Sequence, residues 1–148
     1  MQLKKPDVKK CKNVFTKANE TETGKLKPLE LVNALKEFNL NFTVDELRDL
    51  NPLVSTSPVI TLSVDQFIHL IYIIENTTTN DTTKMMFLSA DTTQSGTINR
   101  AGVESVLKKM GASPKTQQID ELMEALADNK DGTLSYEAFK GLIDGLMG

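Results

Sequence analysis

The stretch FLSADTTQSGTI (Phe87–Ile98) decides the fold, because the chain carries it twice. FTKANETETGKL (Phe15–Leu26) repeats it in the frame Phe-x-x-Ala-[Asn/Asp]-x-Thr-x-[Thr/Ser]-Gly-x-[Leu/Ile], 72 residues earlier (87 minus 15). A repeat at half the chain length implies a duplicated architecture. MEALADNKDGTL (Met123–Leu134) fits the same frame, with Met123 at the Phe position and Gly132 at the Gly. NPLVSTSPVITL (Asn51–Leu62) fits more loosely, with Ile60 in place of Gly. Four units result, two in each half.

Each unit reads as helix–loop–helix. Cys11, Val14, Phe15 and Ala18 recur at helical spacing before the first loop, and Leu29, Val32, Leu35 and Phe38 after it. Thr43 followed by Glu46 is a capping-box pattern. Ser113 reads as an N-cap with Pro114 at the first helical position, and Met110-Gly111 closes the preceding helix. The Thr-rich run ENTTTNDTTK (Glu75–Lys84) is a poor helix former, read as a flexible linker or an irregular exposed helix. Its two Asn-x-Thr sequons are chance matches, since no signal peptide is recognisable at the N-terminus. The expected layout is an N-terminal lobe over 1–75, a linker over 76–84 and a C-terminal lobe over 85–148.

The motifs Phe15…Gly24-Lys25-Leu26, Phe87…Gly96-Thr97-Ile98 and DGTLSYEAF (Asp131–Phe139) resemble the EF-hand. From about Val8 to Met147 the chain resembles the calmodulin and myosin light chain family, most of all an unconventional myosin light chain. The resemblance implies an all-α fold of two EF-hand lobes, with Leu26, Leu62, Ile98 and Leu134 forming short β-bridges between paired loops.

A calcium EF-hand loop has 12 residues, with oxygen ligands at 1, 3, 5, 7 and 9, Gly at 6 and a bidentate Glu at 12. The first loop offers Asn19, Thr21 and Thr23 with Glu30 at 12, one carboxylate against Lys25 and Lys27. The second has Ser55 and Gln66 at its ends, Ile60 for Gly, and a stiff Pro58. The third is the best candidate, with Asp91, Thr93, Ser95, Thr97 and Asn99, yet Gly102 stands at 12. The fourth has Asn129 and Asp131 but Ala127 and Ala138 at the ends; Asp128 and Glu137 fall one step off register and are expected to point away. No metal and no cofactor are expected.

Other chemistry has little footing. The single histidine, His69, lies in an apolar helix, and Cys11 lies on the apolar stripe of the first. One cysteine cannot form an internal disulfide, so a reducing cytoplasm is the default setting. The apolar run Phe67–Ile74 is too short to span a bilayer. No phosphate loop or nucleophile elbow occurs, so no enzyme is expected. Net charge is −3, with ten basic and ten acidic residues over 1–75 and seven against ten over 76–148. An acidic second half argues against nucleic acid and suits a basic helix.

Methionine points the same way. Apart from Met1, every methionine follows residue 84. The resemblance implies that Met86, Phe87, Leu107, Met110, Met123, Phe139, Leu142, Ile143 and Met147 line a groove for a partner helix. Phe15, Leu35, Phe38, Leu47, Phe67, Ile71 and Ile74 suit a tighter first lobe. The lysines at 4, 5, 9, 10 and 12 read as a solvated face. The implied function is a calcium-independent light chain clamping an IQ-type amphipathic basic helix of a myosin heavy chain, monomeric when free and cytoskeleton-associated. The alternatives are a calmodulin-like sensor with one weak site in the third loop, or a regulatory subunit of a non-myosin partner.

Overall fold

The computed structural model describes residues 3–20, 22–78 and 80–147, the side chains of 146 and 147 excepted. Among them are eight α-helices, two paired two-residue strands and one 3-10 turn. The chain divides into two compact units, Lys4–Glu75 and Asn76–Gly148, the latter joined by Met1–Leu3.

The first unit contains α1 (Val8–Ala18), α2 (Pro28–Lys36), α3 (Val44–Leu50), the 3-10 turn Asn51–Leu53 and α4 (Val64–Asn76). The Asp7 carboxylate caps α1 by accepting from the Lys10 N–H at 3.1 Å. Thr43 and Glu46 form the expected capping box on α3, bonding each other's N–H at 3.2 and 3.0 Å. Such a cap contributes about 1 kcal/mol. The first and second loops meet in an antiparallel bridge, where Leu26 N–H donates to Leu62 O at 2.7 Å and Leu62 N–H returns at 3.1 Å. Both leucines are fully buried.

Phe67 organises the core of this unit. Its ring lies 6.0 Å from Phe15 and 6.1 Å from Phe38. Each such side chain contributes roughly 1.5–3 kcal/mol through burial. Phe15, Leu35, Leu47 and Ile71 are buried, while Phe38 and Ile74 are half-buried. Ile60, standing where the other loops place glycine, is also buried. The second loop has therefore exchanged a turn for an apolar anchor, and Asn51 ties it by donating to Ser57 O at 3.0 Å.

The second unit contains α5 (Thr82–Ala90), β1 (Thr97–Ile98), α6 (Arg100–Lys109), α7 (Thr116–Leu126), β2 (Leu134–Ser135) and α8 (Tyr136–Met147). β1 and β2 pair antiparallel, with Ile98 opposite Leu134. Phe87 sits 5.5 Å from Phe139 and 5.3 Å from Tyr136. Val103, Ile119 and Ile143 join this core. Gly96 turns the third loop at φ +84°, a backbone that glycine adopts without strain.

Two boundaries differ from the sequence reading. The polar run is helical at both ends: Asn76 closes α4, and Thr82–Lys84 open α5. The Asp81 carboxylate accepts from Lys84 N–H at 3.0 Å, and that cap carries the two threonines into the first turn. Ser113 does not cap α7. The helix begins at Thr116, and Lys115 N–H instead donates to the Gln118 side chain at 2.8 Å. Ser113 and Pro114 precede it outside any regular element.

Candidate functional site

The third loop folds around its one carboxylate. Asp91 ends α5 and is 1% exposed. One of its oxygens accepts from Ser95 N–H at 3.1 Å, and the other from Gly96 N–H at 2.8 Å. The hydroxyls of Thr93 and Ser95 each approach at 3.4 Å. Thr93, Ser95 and Thr97 form a hydroxyl chain with links of 2.9 Å. The Asn99 side-chain oxygen accepts from Gly102 N–H at 3.0 Å and caps α6. The candidate ligands Asp91, Thr93, Ser95 and Thr97 therefore bond one another, while Asn99 faces the helix.

Gly102 occupies the place where a bidentate glutamate would begin. A Cβ there would meet Ile98 Cβ at 3.2 Å, the Ala90 carbonyl oxygen at 3.3 Å and Ala90 Cβ at 3.4 Å. The missing side chain lets α6 pack against the last residue of α5. The site lacks the anchor ligand, and a side chain there needs its neighbours to give by a few tenths of an ångström.

The fourth loop is closed differently. Thr133 donates its hydroxyl to Asp131 at 2.6 Å, and Asn129 donates to that hydroxyl at 3.0 Å. Asp128, expected to point away, instead spans seven residues of the loop. It accepts from the Ser135 hydroxyl at 2.5 Å and from Ser135 N–H at 2.9 Å. Ser135 in turn caps α8 by accepting from Ala138 N–H at 3.2 Å. These hydrogen bonds hold the Asp128 carboxyl below its usual pKa, and those from Thr133 do the same for Asp131.

The first unit offers less. In its first loop Glu30 accepts from Lys27 N–H at 2.9 Å, and the Thr23 hydroxyl donates to Lys25 O at 2.9 Å. Asn19 has a buried side-chain oxygen without a hydrogen-bond partner, but the expected neighbour Thr21 lies outside the described residues. In the second loop Ser63 and Gln66 cap one another at 2.8 and 3.3 Å. Among the described residues no three His, Cys, Asp or Glu side chains converge as a metal cluster. Calcium needs six to eight oxygens and magnesium a strict octahedron, and the described donors of the third and fourth loops, with Gly102 and Ala138 at the last position, lack the bidentate anchor.

Cys11 and His69 are packing residues here. Cys11 is fully buried, and burial, reinforced by the nearby Glu75 carboxylate, pushes its thiol up to about 11. A thiol so placed is a poor nucleophile. His69 is half-buried, with its ring 5.7 Å from Tyr72.

A groove opens between the end of α6, the segment that follows it, and the first half of α7. It encloses about 480 Å³ and is lined by Leu107, Pro114, Leu122 and Ala112, with Ser113, Gln118 and Glu121 at its polar edge. Of the eight expected groove residues whose side chains are described, only Leu107 faces this one. Phe87, Phe139 and Ile143 are fully buried, and Leu142 nearly so. Met86 and Met123 are half-buried, and Met110 is 37% exposed. The Met147 side chain lies outside the described residues. Pro114 and Leu122 went unseen as lining residues. Pro114 had been placed inside a helix, and Leu122 follows Ile119 at core spacing.

Residues 81–143 match the model of an EF-hand domain pair. The chain is 23% identical over 142 residues to calmodulin-like protein 6 of Oryza sativa subsp. japonica, covering 93% of this chain and 84% of that protein. It is 25% identical over 138 residues to a myosin regulatory light chain of Physarum polycephalum, covering 92% and 90% respectively. A solved structure of a homolog of programmed cell death 6 protein from Leishmania major Friedlin aligns with a TM-score of 0.37 at 18% identity, over 87% of this chain and 71% of that one. Residues 81–143 are thus an EF-hand domain pair, and the chain as a whole shows a weak homology to calmodulin-like and myosin light chain proteins that is consistent with the calmodulin and myosin light chain family.

Proposed function

We propose that this protein is a non-catalytic, calcium-independent light chain that binds and stiffens an IQ-type amphipathic basic helix of a myosin heavy chain. The observation that carries the reading is the third loop. It holds its EF-hand bend through hydrogen bonds to Asp91, and packing at Gly102 takes the place of the metal's anchor ligand. A clamp of this kind keeps its shape at any calcium level.

The groove beside α7 supports the second half as the main grip. Its apolar lining suits an anchor side chain, and Glu121 gives the edge a negative charge for a basic partner. An isolated partner helix is marginal in water, so clamping it stabilises it. In this reading the lobes over 1–75 and 85–148 are monomeric when free and work in the cytoplasm on the cytoskeleton. The Physarum relative is a myosin regulatory light chain, which supports this partner class over others.

Titrating an IQ-type basic peptide into the full chain tests the reading. Saturable one-to-one binding, weakened by Leu122→Asp in the groove, is the expected result. A chain that binds no such peptide, or a variant that binds it equally well, contradicts the reading. The sensor alternative rests on the oxygens kept at Asp91, Thr93 and Ser95, and calcium-induced heat at micromolar concentration would favour it.

A further inference from the structure

The chain contains two Ser-Pro dipeptides, Ser57-Pro58 and Ser113-Pro114, and the fold treats them differently. Ser57 is half-buried and bound within its loop. Its hydroxyl accepts from Val59 N–H at 3.3 Å, its N–H donates to the Ser55 hydroxyl at 3.1 Å, and its carbonyl accepts from Asn51 at 3.0 Å. Ser113 is exposed, and among the described residues it makes no such hydrogen bond. Proline holds the preceding residue away from helical backbone angles, so Ser113 presents an open segment of main chain. It also stands on the edge of the groove, next to Pro114 and near Glu121.

We propose that Ser113 is a phosphorylation site for a proline-directed serine/threonine protein kinase, and that the phosphate tightens the groove's hold on a basic partner. The second half of this statement rests on the groove reading given above. In the reaction the Ser113 oxygen forms a bond to the γ-phosphorus of ATP. The bond from that phosphorus to the bridging oxygen breaks, ADP leaves, and the hydroxyl proton passes to the kinase's base. No local unfolding is needed, because the segment is already outside regular structure.

The surroundings accept the new charge. Lys115 follows two residues on and opens α7, where the Gln118 side chain holds the Lys115 N–H and no serine, threonine or aspartate side chain caps the helix. Arg100 reaches the same end of α7, donating to Thr116 O at 3.1 Å and pairing with Asp120 at 2.8 Å. A phosphate there lies near a helix N-terminus and cationic side chains, both favourable to a dianion. It adds up to two negative charges to an edge that already carries Glu121.

The test treats the full, folded chain with a purified proline-directed serine/threonine kinase and magnesium ATP. Peptide mass spectrometry then locates the phosphate. The expected result is at least about tenfold more phosphate on Ser113 than on Ser57, abolished by Ser113→Ala and untouched by Ser57→Ala. Equal or greater labelling of Ser57, or no labelling of Ser113, overturns the site. The phosphorylated chain should then bind an IQ-type basic peptide about fivefold more tightly at low salt, with the gain shrinking as salt rises. Unchanged or weaker binding overturns the regulatory half. If neither form binds the peptide, the groove reading and the regulation fall together, while phosphate mapped to Ser113 still supports the site.

Discussion

Gly102 and Ala90 pack closely where the third loop joins its two helices: a Cβ on Gly102 would lie 3.3 Å from the Ala90 carbonyl oxygen. In a helix interior, glycine to alanine ordinarily gains up to about 1 kcal/mol. Here the added methyl also presses on Ile98 Cβ at 3.2 Å. Gly102→Ala should therefore destabilise the chain by about 1 kcal/mol, as overpacking does. Urea unfolding checks the sign, and a stabilised variant would show that α6 is free to shift.

The same contact governs any attempt to restore a metal site. Gly102→Glu with Ser95→Asp adds two carboxylates to Asp91, but the glutamate must first move α6 off Ala90. The double variant should melt below the wild type without calcium and regain stability when calcium is added. Wild-type melting should not respond to calcium. Scanning calorimetry with calcium or with chelator reads both comparisons.

Cys11 gives the chain an alkaline weakness. Burial raises its thiol to about 11, whereas the unfolded thiol titrates near 8.5. Between these values the unfolded chain has released the proton and the folded chain still holds it, so unfolding is favoured as pH rises. Stability should be intact at neutral pH and fall from about pH 8.5 to about 11. Cys11→Ala should remove that part of the slope, at a cost of roughly 1–2 kcal/mol at pH 7 from the cavity. Denaturant midpoints across the pH series measure both effects.

The fourth loop should show the opposite pH response. Hydrogen bonds from Ser135 and Thr133 depress the Asp128 and Asp131 carboxyls. A depressed carboxyl stabilises the fold above its unfolded pKa and loses that effect as pH falls through the folded value. Ser135→Ala removes the α8 cap and the Asp128 partner together, and should lower stability at pH 7. The cost should shrink once acid has protonated Asp128. Thermal melts at pH 7 and in acid test this.

Buried and exposed residues of the second half should separate in one pair of experiments. Phe139→Ala opens a cavity beside Phe87 and should cost roughly 3–5 kcal/mol of stability. Met110, 37% exposed, should cost little stability when replaced by alanine. If it touches the partner, Met110→Ala should weaken peptide binding by roughly 1–2 kcal/mol. A large stability loss at Met110 would place it in the core instead.

The duplicated frame and the Thr43–Glu46 cap were legible because local spacing sets them, and the bridges at Leu26–Leu62 and Ile98–Leu134 followed from the EF-hand resemblance. Four features were not. Ser-Pro is a common helix opening, yet Gln118 rather than Ser113 satisfies the start of α7. Asp128 is one step off the ligand register, but its side chain folds back across the loop to Ser135, which a position count cannot show. Gly102 looked like a deleted ligand, and only the packing shows that the glycine itself closes α6 onto α5. Phe87, Phe139 and Ile143, which the resemblance implies line a groove, are buried here, because an apolar residue pattern does not distinguish core from groove.

The central claim is that partner binding is indifferent to calcium. Isothermal titration of an IQ-type basic peptide into the full chain tests it most directly, once in a calcium chelator and once in about 1 mM calcium. The expected result is saturable binding in both, with dissociation constants agreeing within about twofold. Binding that appears only with calcium, or tightens about tenfold on adding it, would contradict the account.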